Sequence, residues 1–162
     1  MAVDPAPLPL DDEALRAIGV IAVQSARVEW QLTGIRAVVD RSMSHEEHLR
    51  QGKAKAHAKT IRAYLQEHES WAGPEATAEC IQWADEAAQL LFERGNLVHS
   101  GWVTTTDDDG VFHLTRRHMK TGDEYPFSHT DLEELGHKLG MLATTGHMFM
   151  AVAMTKLFDA DE

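Results

Sequence analysis

Cysteine is almost missing from this chain. Its single thiol, Cys80, excludes an intramolecular disulfide and offers no metal cluster. Long apolar runs are missing as well. None approaches the roughly 18 residues that a membrane-spanning helix needs, so no membrane partner is expected. The first ten residues have neither a basic start nor an apolar stretch, so they do not read as a signal peptide, and cytoplasmic residence is the expectation. Cations are scarce: 15 Lys and Arg stand against 26 Asp and Glu, giving a net charge of -11. That balance argues against a protein that coats nucleic acid generally, because phosphate binding needs a basic surface. Any RNA would have to bind at a local cationic patch. An acidic surface also suits a protein partner with a basic face.

What is present fits one globular domain. The 162 residues are 43% hydrophobic and 25% charged, enough to bury a core and ordinary for a folded chain. Residues 1–10 contain three prolines and read as a disordered lead-in. From Asp11 to about Asp40, Leu15, Ile18, Ala22, Val28, Leu32, Ile35 and Val39 recur at mostly helical intervals, which predicts a long amphipathic helix. Trp30 is placed for an additional contact, within the domain or with a second subunit. A capping box at Ser44 and Glu47 opens a second helix, predicted from about His45 to His68. Its apolar stripe (Leu49, Ala56, Thr60, Ala63, Tyr64) is thin. Its cations, Arg50, Lys53, Lys55, Lys59 and Arg62, form either the patch RNA requires or a solvated face.

A third helix is predicted from about Glu75 to Leu97, with Ile81, Ala84, Ala88 and Leu91 as its core line and Trp83 off that line. The period then changes. Residues 102–127 read as a β-hairpin insertion with a turn at Asp107-Asp108-Asp109-Gly110, and Arg116, Arg117, His118 and Lys120 make a second cationic cluster. A box at Thr130 and Glu133 starts the last helix, which carries Leu132, Leu135, Leu139, Leu142, Phe149, Ala153 and Leu157 on one face. The histidines do not make a metal set. His45 and His48 share a helical face but find no third ligand at a matching spacing. The predicted fold is mainly α: an up-and-down bundle of four long helices with a β-hairpin between the third and fourth, spanning 1–162 as one domain.

The stretch that carries chemistry lies where the third helix ends, at Glu93-Arg94-Gly95-Asn96-Leu97-Val98-His99-Ser100-Gly101-Trp102. Arg94 and His99 form an R-x4-H pair. Arginine is a permanent cation whose planar donors suit phosphate, and histidine is the side chain best placed to exchange protons near neutral pH. On a straight helix, five residues leave the two side chains about 140° apart. They converge only if the helix ends or bends between them, with Gly95 as the weak point, or across a dimer.

This stretch resembles the R-N-x-x-V-H-G-x-W signature of HEPN (higher eukaryotes and prokaryotes nucleotide-binding) domains, with Gly95 where a polar residue is usual. The resemblance implies a dimeric helical bundle and a metal-independent endoribonuclease, such as a toxin or defence factor with an antidote protein. Arg94 and His99 would be its catalytic residues, and no cofactor or metal would be needed. His99 would act as general base on the ribose 2′-OH, Arg94 would hold the scissile phosphate, and the product would carry a 2′,3′-cyclic phosphate. Asn96 and Ser100 are candidates for orienting RNA, and Lys53, Lys59 and Arg62 for docking it. The alternative is a non-catalytic HEPN-like module that binds or inhibits a protein or nucleic-acid partner.

Overall fold

The structure, a computed structural model, describes residues 10–41, 44–51, 53–68, 73–98, 100–106, 112–118, 121–126 and 128–159. Residues 1–9 of the expected lead-in over 1–10, the Asp107–Gly110 turn, Lys120 and His99 lie outside the described residues. The protein is mainly helical. In chain order the elements are α1 (Asp12–Val39), α2 (His45–Gln51), α3 (Ala54–Glu67), α4 (Pro74–Val98), β1 (Ser100–Thr106), β2 (Phe112–His118), β3 (Glu124–Pro126) and α5 (His129–Asp159).

The single second helix expected from His45 to His68 is two helices. The sequence between them is Gly52-Lys53, and Lys53 is extended at φ -86° and ψ 143°. Glycine is among the poorest helix formers, so the break falls where propensity is weakest. The expected stripe of α3 also shifts. Its buried residues are His57, Ala58, Ile61 and Leu65 rather than Ala56, Thr60 and Ala63.

The α1 stripe is shifted likewise. Ala14, Ile21, Ser25, Val28, Gln31, Leu32 and Ile35 are buried, while Leu15 remains exposed. Asp11 caps this helix, accepting from the Ala14 N–H at 2.8 Å. Ser44 and Glu47 form the expected reciprocal box at α2, with Ser44 N to Glu47 Oε2 at 2.7 Å and Glu47 N to Ser44 Oγ at 3.2 Å. The last helix is capped one turn fragment earlier than Thr130–Glu133 predicts. Ser128 and Asp131 make that box, at 3.0 Å from Ser128 N to Asp131 Oδ2 and 3.2 Å from Asp131 N to Ser128 Oγ.

Helices α1, α3, α4 and α5 share one core, which includes Val28, Leu32, Ile61, Ala84, Leu91 and Leu139. The direction of α5 departs from up-and-down alternation, which would set the first and last helices antiparallel. Here His129 meets Asp11, a Cβ on Gly136 would meet Val20, and the Ala143 carbonyl receives Gln31. The partners advance together along both helices, so α1 and α5 run side by side in the same direction. Helix α4 runs against α5, with Trp83 beside Phe149 and Lys138 within the field of Glu86 and Glu93.

The three strands between α4 and α5 form an antiparallel sheet in the order β1-β2-β3. Its register sets Arg116 opposite Trp102 on β1 and Tyr125 on β3. Arg116 thereby reaches the cleft between α4 and α5.

Candidate functional site

Arg94 projects from the last turns of α4 onto α1. Its Nε–H donates to Ser25 Oγ at 3.2 Å, and Nη2 lies 3.6 Å from Glu29 Oε2. Ser25 and Glu29 are four residues apart, so they share one face of α1. Ser25 is fully buried and donates its own proton to the Ala22 carbonyl at 3.0 Å. Its oxygen is therefore oriented as an acceptor for the guanidinium. The Arg94 side chain keeps 30% of its surface exposed. The arrangement fixes one edge of the guanidinium and presents the rest outward. Glu29 orients it and also offsets part of its charge. An exposed pair of this kind contributes at most about 1 kcal/mol to stability.

Helix α4 does not end at Gly95. It continues through that residue to Val98. A Cβ at Gly95 would meet nothing within 4 Å, so no close neighbour demands glycine there. Leu97 is buried at 3% exposure and anchors the end of the helix in the core. His99 follows immediately after α4, and its side chain, like that of Ser100 at the start of β1, is not among those described. The Arg94 half of the pair is thus positioned by Ser25 and Glu29 on α1, and α4 ends at Val98.

Beside this exit lies a cavity of about 340 Å³, lined by Glu93, Asn96, Leu97, Arg116, Asp131, Glu134, Leu135 and Lys138. Leu97 and Leu135 supply its apolar surface. Lys138 donates to Glu134 at 2.7 Å, and that hydrogen bond raises the lysine pKa, with further charge contributions from Glu134, Glu93 and Glu86. On α4, Asn96 and Glu93 face this cleft while Arg94 faces α1. The motif therefore straddles two surfaces of the same helix end.

The α3 cations do not gather at Arg94. Arg62 pairs with Asp85, which precedes Arg94 by about 13 Å of helical rise and half a turn of azimuth. Lys53 and Lys59 are exposed. His57, on the same helix, is 2% exposed and accepts at Nδ1 from Arg36 at 2.9 Å. Arginine has no acceptor, so the His57 ring must be neutral at that nitrogen.

Sequence reasoning missed a polar junction in the core. Gln31 Nε2 donates to the Ala143 carbonyl at 2.8 Å, and Trp83 Nε1 donates to the Leu142 carbonyl at 2.9 Å. Trp83, placed off the core line from sequence, is buried at 3% exposure. Gly146 lies beneath both side chains, and a Cβ there would overlap them. The spacing Cys80, Trp83, Ala84, Ala87, Leu90, Leu91 is the helical period that identifies this buried face. Cys80 belongs to the same face, and burial pushes its thiol up to about 12, which makes it a packing residue rather than a nucleophile.

No cluster of three potential metal-ligating side chains occurs among the described residues. Among the same residues, no helix is long and apolar enough to cross a membrane. No family model, curated protein or solved structure matches the chain.

Proposed function

We propose that this protein is a HEPN-like, metal-independent endoribonuclease. Four helices around one core supply the bundle such a domain needs. The observation that carries the reading is the placement of Arg94. It is held by Ser25 and Glu29 at the end of α4, five residues before His99 in sequence, with part of its side chain facing solvent. A cation fixed before substrate arrives stabilises developing phosphate charge without reorganising. In this mechanism His99 takes the proton of the ribose 2′-OH. The 2′-oxygen attacks the adjacent phosphorus, the 5′-oxygen of the next nucleotide leaves, and a 2′,3′-cyclic phosphate remains. Arg94 binds the non-bridging oxygens, and Asn96 and Ser100 flank the reacting strand. Lys53 and Lys59 offer secondary phosphate contacts along α3, and Arg62 contributes only when released from Asp85. A homodimer that covers exposed Trp30, with a protein antidote as its regulator, completes the proposal.

The test is incubation of the purified protein with diverse RNAs in EDTA, with Arg94→Ala and His99→Ala alongside. Cleavage by the wild type and its loss in both variants supports the reading, and equal cleavage by all three removes it. A second reading, a non-catalytic module, is favoured by Glu29, whose carboxylate offsets the Arg94 charge. RNA or protein binding without cleavage would place it first.

A further inference from the structure

We infer that the outer face of the α1–α5 layer docks a second copy of this chain, antiparallel and about one two-fold axis. The inference gives the homodimer of the proposed function its surface and register, and it uses none of that reading's RNA chemistry. Val23 and Trp30 on α1 and Met141 and Met148 on α5 each keep more than half of their surface exposed. Helical phase gives their direction. Val23 stands two residues from buried Ile21 and Ser25, Trp30 two from Val28 and Leu32, and Met141 two from Leu139 and Ala143. Two residues turn a helix by about 200°, so these side chains point away from the core.

Charge favours a second copy as the occupant. From Leu139 to Thr155, α5 carries no Asp, Glu, Lys or Arg. A chain of net charge -11 repels its own copies, and this uncharged stretch is where two can meet. Methionine, tryptophan and arginine are also the residues that enrich the centre of an interface. The size is adequate. Helix α1 has 28 residues, so the two-helix layer measures about 42 Å by 20 Å. That matches the roughly 800 Å² that each partner of a standard interface buries.

The register makes the face self-complementary. Gly136 lies beside Val20 and Gly140 beside Gln24, the same offset of 116 residues in both cases. The point midway between Arg27 and Trp30 is therefore level with the point midway between Met141 and Met148. A two-fold axis at that level, running across both helices, reverses each helix against its own copy. Trp30 then lies over the partner's Arg27, and Met141 over the partner's Met148. Arg27 donates to Gln24 at 3.0 Å, a bond in the guanidinium plane that is compatible with stacking its face on the indole. The thioethers adapt to each other, and Thr144 sits beside the axis. Ser25, which holds Arg94, is buried on the core side of α1. Each Arg94 therefore stays within its own protomer instead of meeting its copy.

Light scattering of the full-length protein at micromolar concentration is expected to give twice the chain mass. Trp30→Glu and Met148→Glu should each weaken the dimer by at least about tenfold. Both side chains are exposed, so circular dichroism should show the fold kept. Thr144→Cys places a thiol beside the axis and should form a disulfide with its own copy under mild oxidation. Glu133→Cys places the thiol about 35 Å from its copy and should not. Cys80 is buried and does not compete. A wild-type monomer, a dimer indifferent to both glutamate substitutions, or a Thr144→Cys protein that cross-links no better than Glu133→Cys overturns the inference. RNA cleavage by a monomer defeats this interface and leaves the nuclease reading standing. A dimer of this register that cleaves no RNA leaves the interface and defeats the nuclease reading.

Discussion

Gln31 on α1 donates its amide to the backbone carbonyl of Ala143 on α5 at 2.8 Å, inside the core. The bond ties together the two helices that make the most extensive contact in the molecule. Its other amide atom, Oε1, is buried without a partner of its own. Gln31→Ala removes a buried hydrogen bond and leaves a void, and should cost about 1–3 kcal/mol. Thermal or urea unfolding measures it. An unchanged midpoint would show that the junction contributes little.

Gly146 is the tightest point of the same junction. A Cβ would come within 2.8 Å of Trp83 Cε2 and closer still to other atoms of Trp83 and Gln31. Gly146→Ala should therefore destabilise by roughly 1–3 kcal/mol through overpacking, despite the better helix propensity of alanine. The comparison with Gly95→Ala isolates the steric effect. At Gly95 a Cβ meets nothing, so alanine there should stabilise by about 0.5–1 kcal/mol. Opposite signs for two Gly→Ala changes in helices are the expected result, and equal signs would refute the packing account.

Glu29→Gln removes a carboxylate 3.6 Å from the Arg94 guanidinium. RNA affinity should rise severalfold at low salt, and the gain should shrink as salt screens the interaction. Arg94→Ala should lower cleavage on the order of a hundredfold or more. Filter binding and single-turnover cleavage read the two effects. A Glu29→Gln protein that binds no better would assign Arg94 to tying helices together.

Asp11 has its pKa lowered, first by the Ala14 N–H that it caps and then by His129. A carboxylate depressed in the folded state contributes stability above its ordinary range, and that contribution fades as pH falls through the lowered value. The melting temperature of wild type should exceed that of Asp11→Ala near neutrality, and the two should converge in acid. Calorimetry from pH 7 to pH 2, about the interval over which carboxylates titrate, checks this. A gap that stays constant across that interval would separate Asp11 from the titration.

The helices were legible in the sequence because their apolar spacing is strong, and α1, α4 and α5 begin and end close to where periodicity places them. The faces were harder to read. Ser25, Gln31 and His57 are buried polar groups, and a search for apolar residues passes over them although they share the helical period. Trp83 was misplaced for the opposite reason, since neighbouring Ile81 and Ala88 offered a competing stripe. The break before α3 turns on Gly52-Lys53, a modest local preference within an otherwise helical run. Arg94 was legible as a candidate through its motif. Its partners were not, because Ser25 and Glu29 lie 69 and 65 residues away in sequence and only packing of α1 on α4 joins them.

The common direction of α1 and α5 constrains how this protein can be made. Among the described residues its most extensive helical interface joins α1 to α5. During synthesis α1 emerges with its eventual neighbour still untranslated, and its buried face must wait while more than a hundred residues follow. Contacts between distant segments slow folding, so the face of α1 that α5 covers stays open until α5 has been made, a state in which chaperone capture competes with folding.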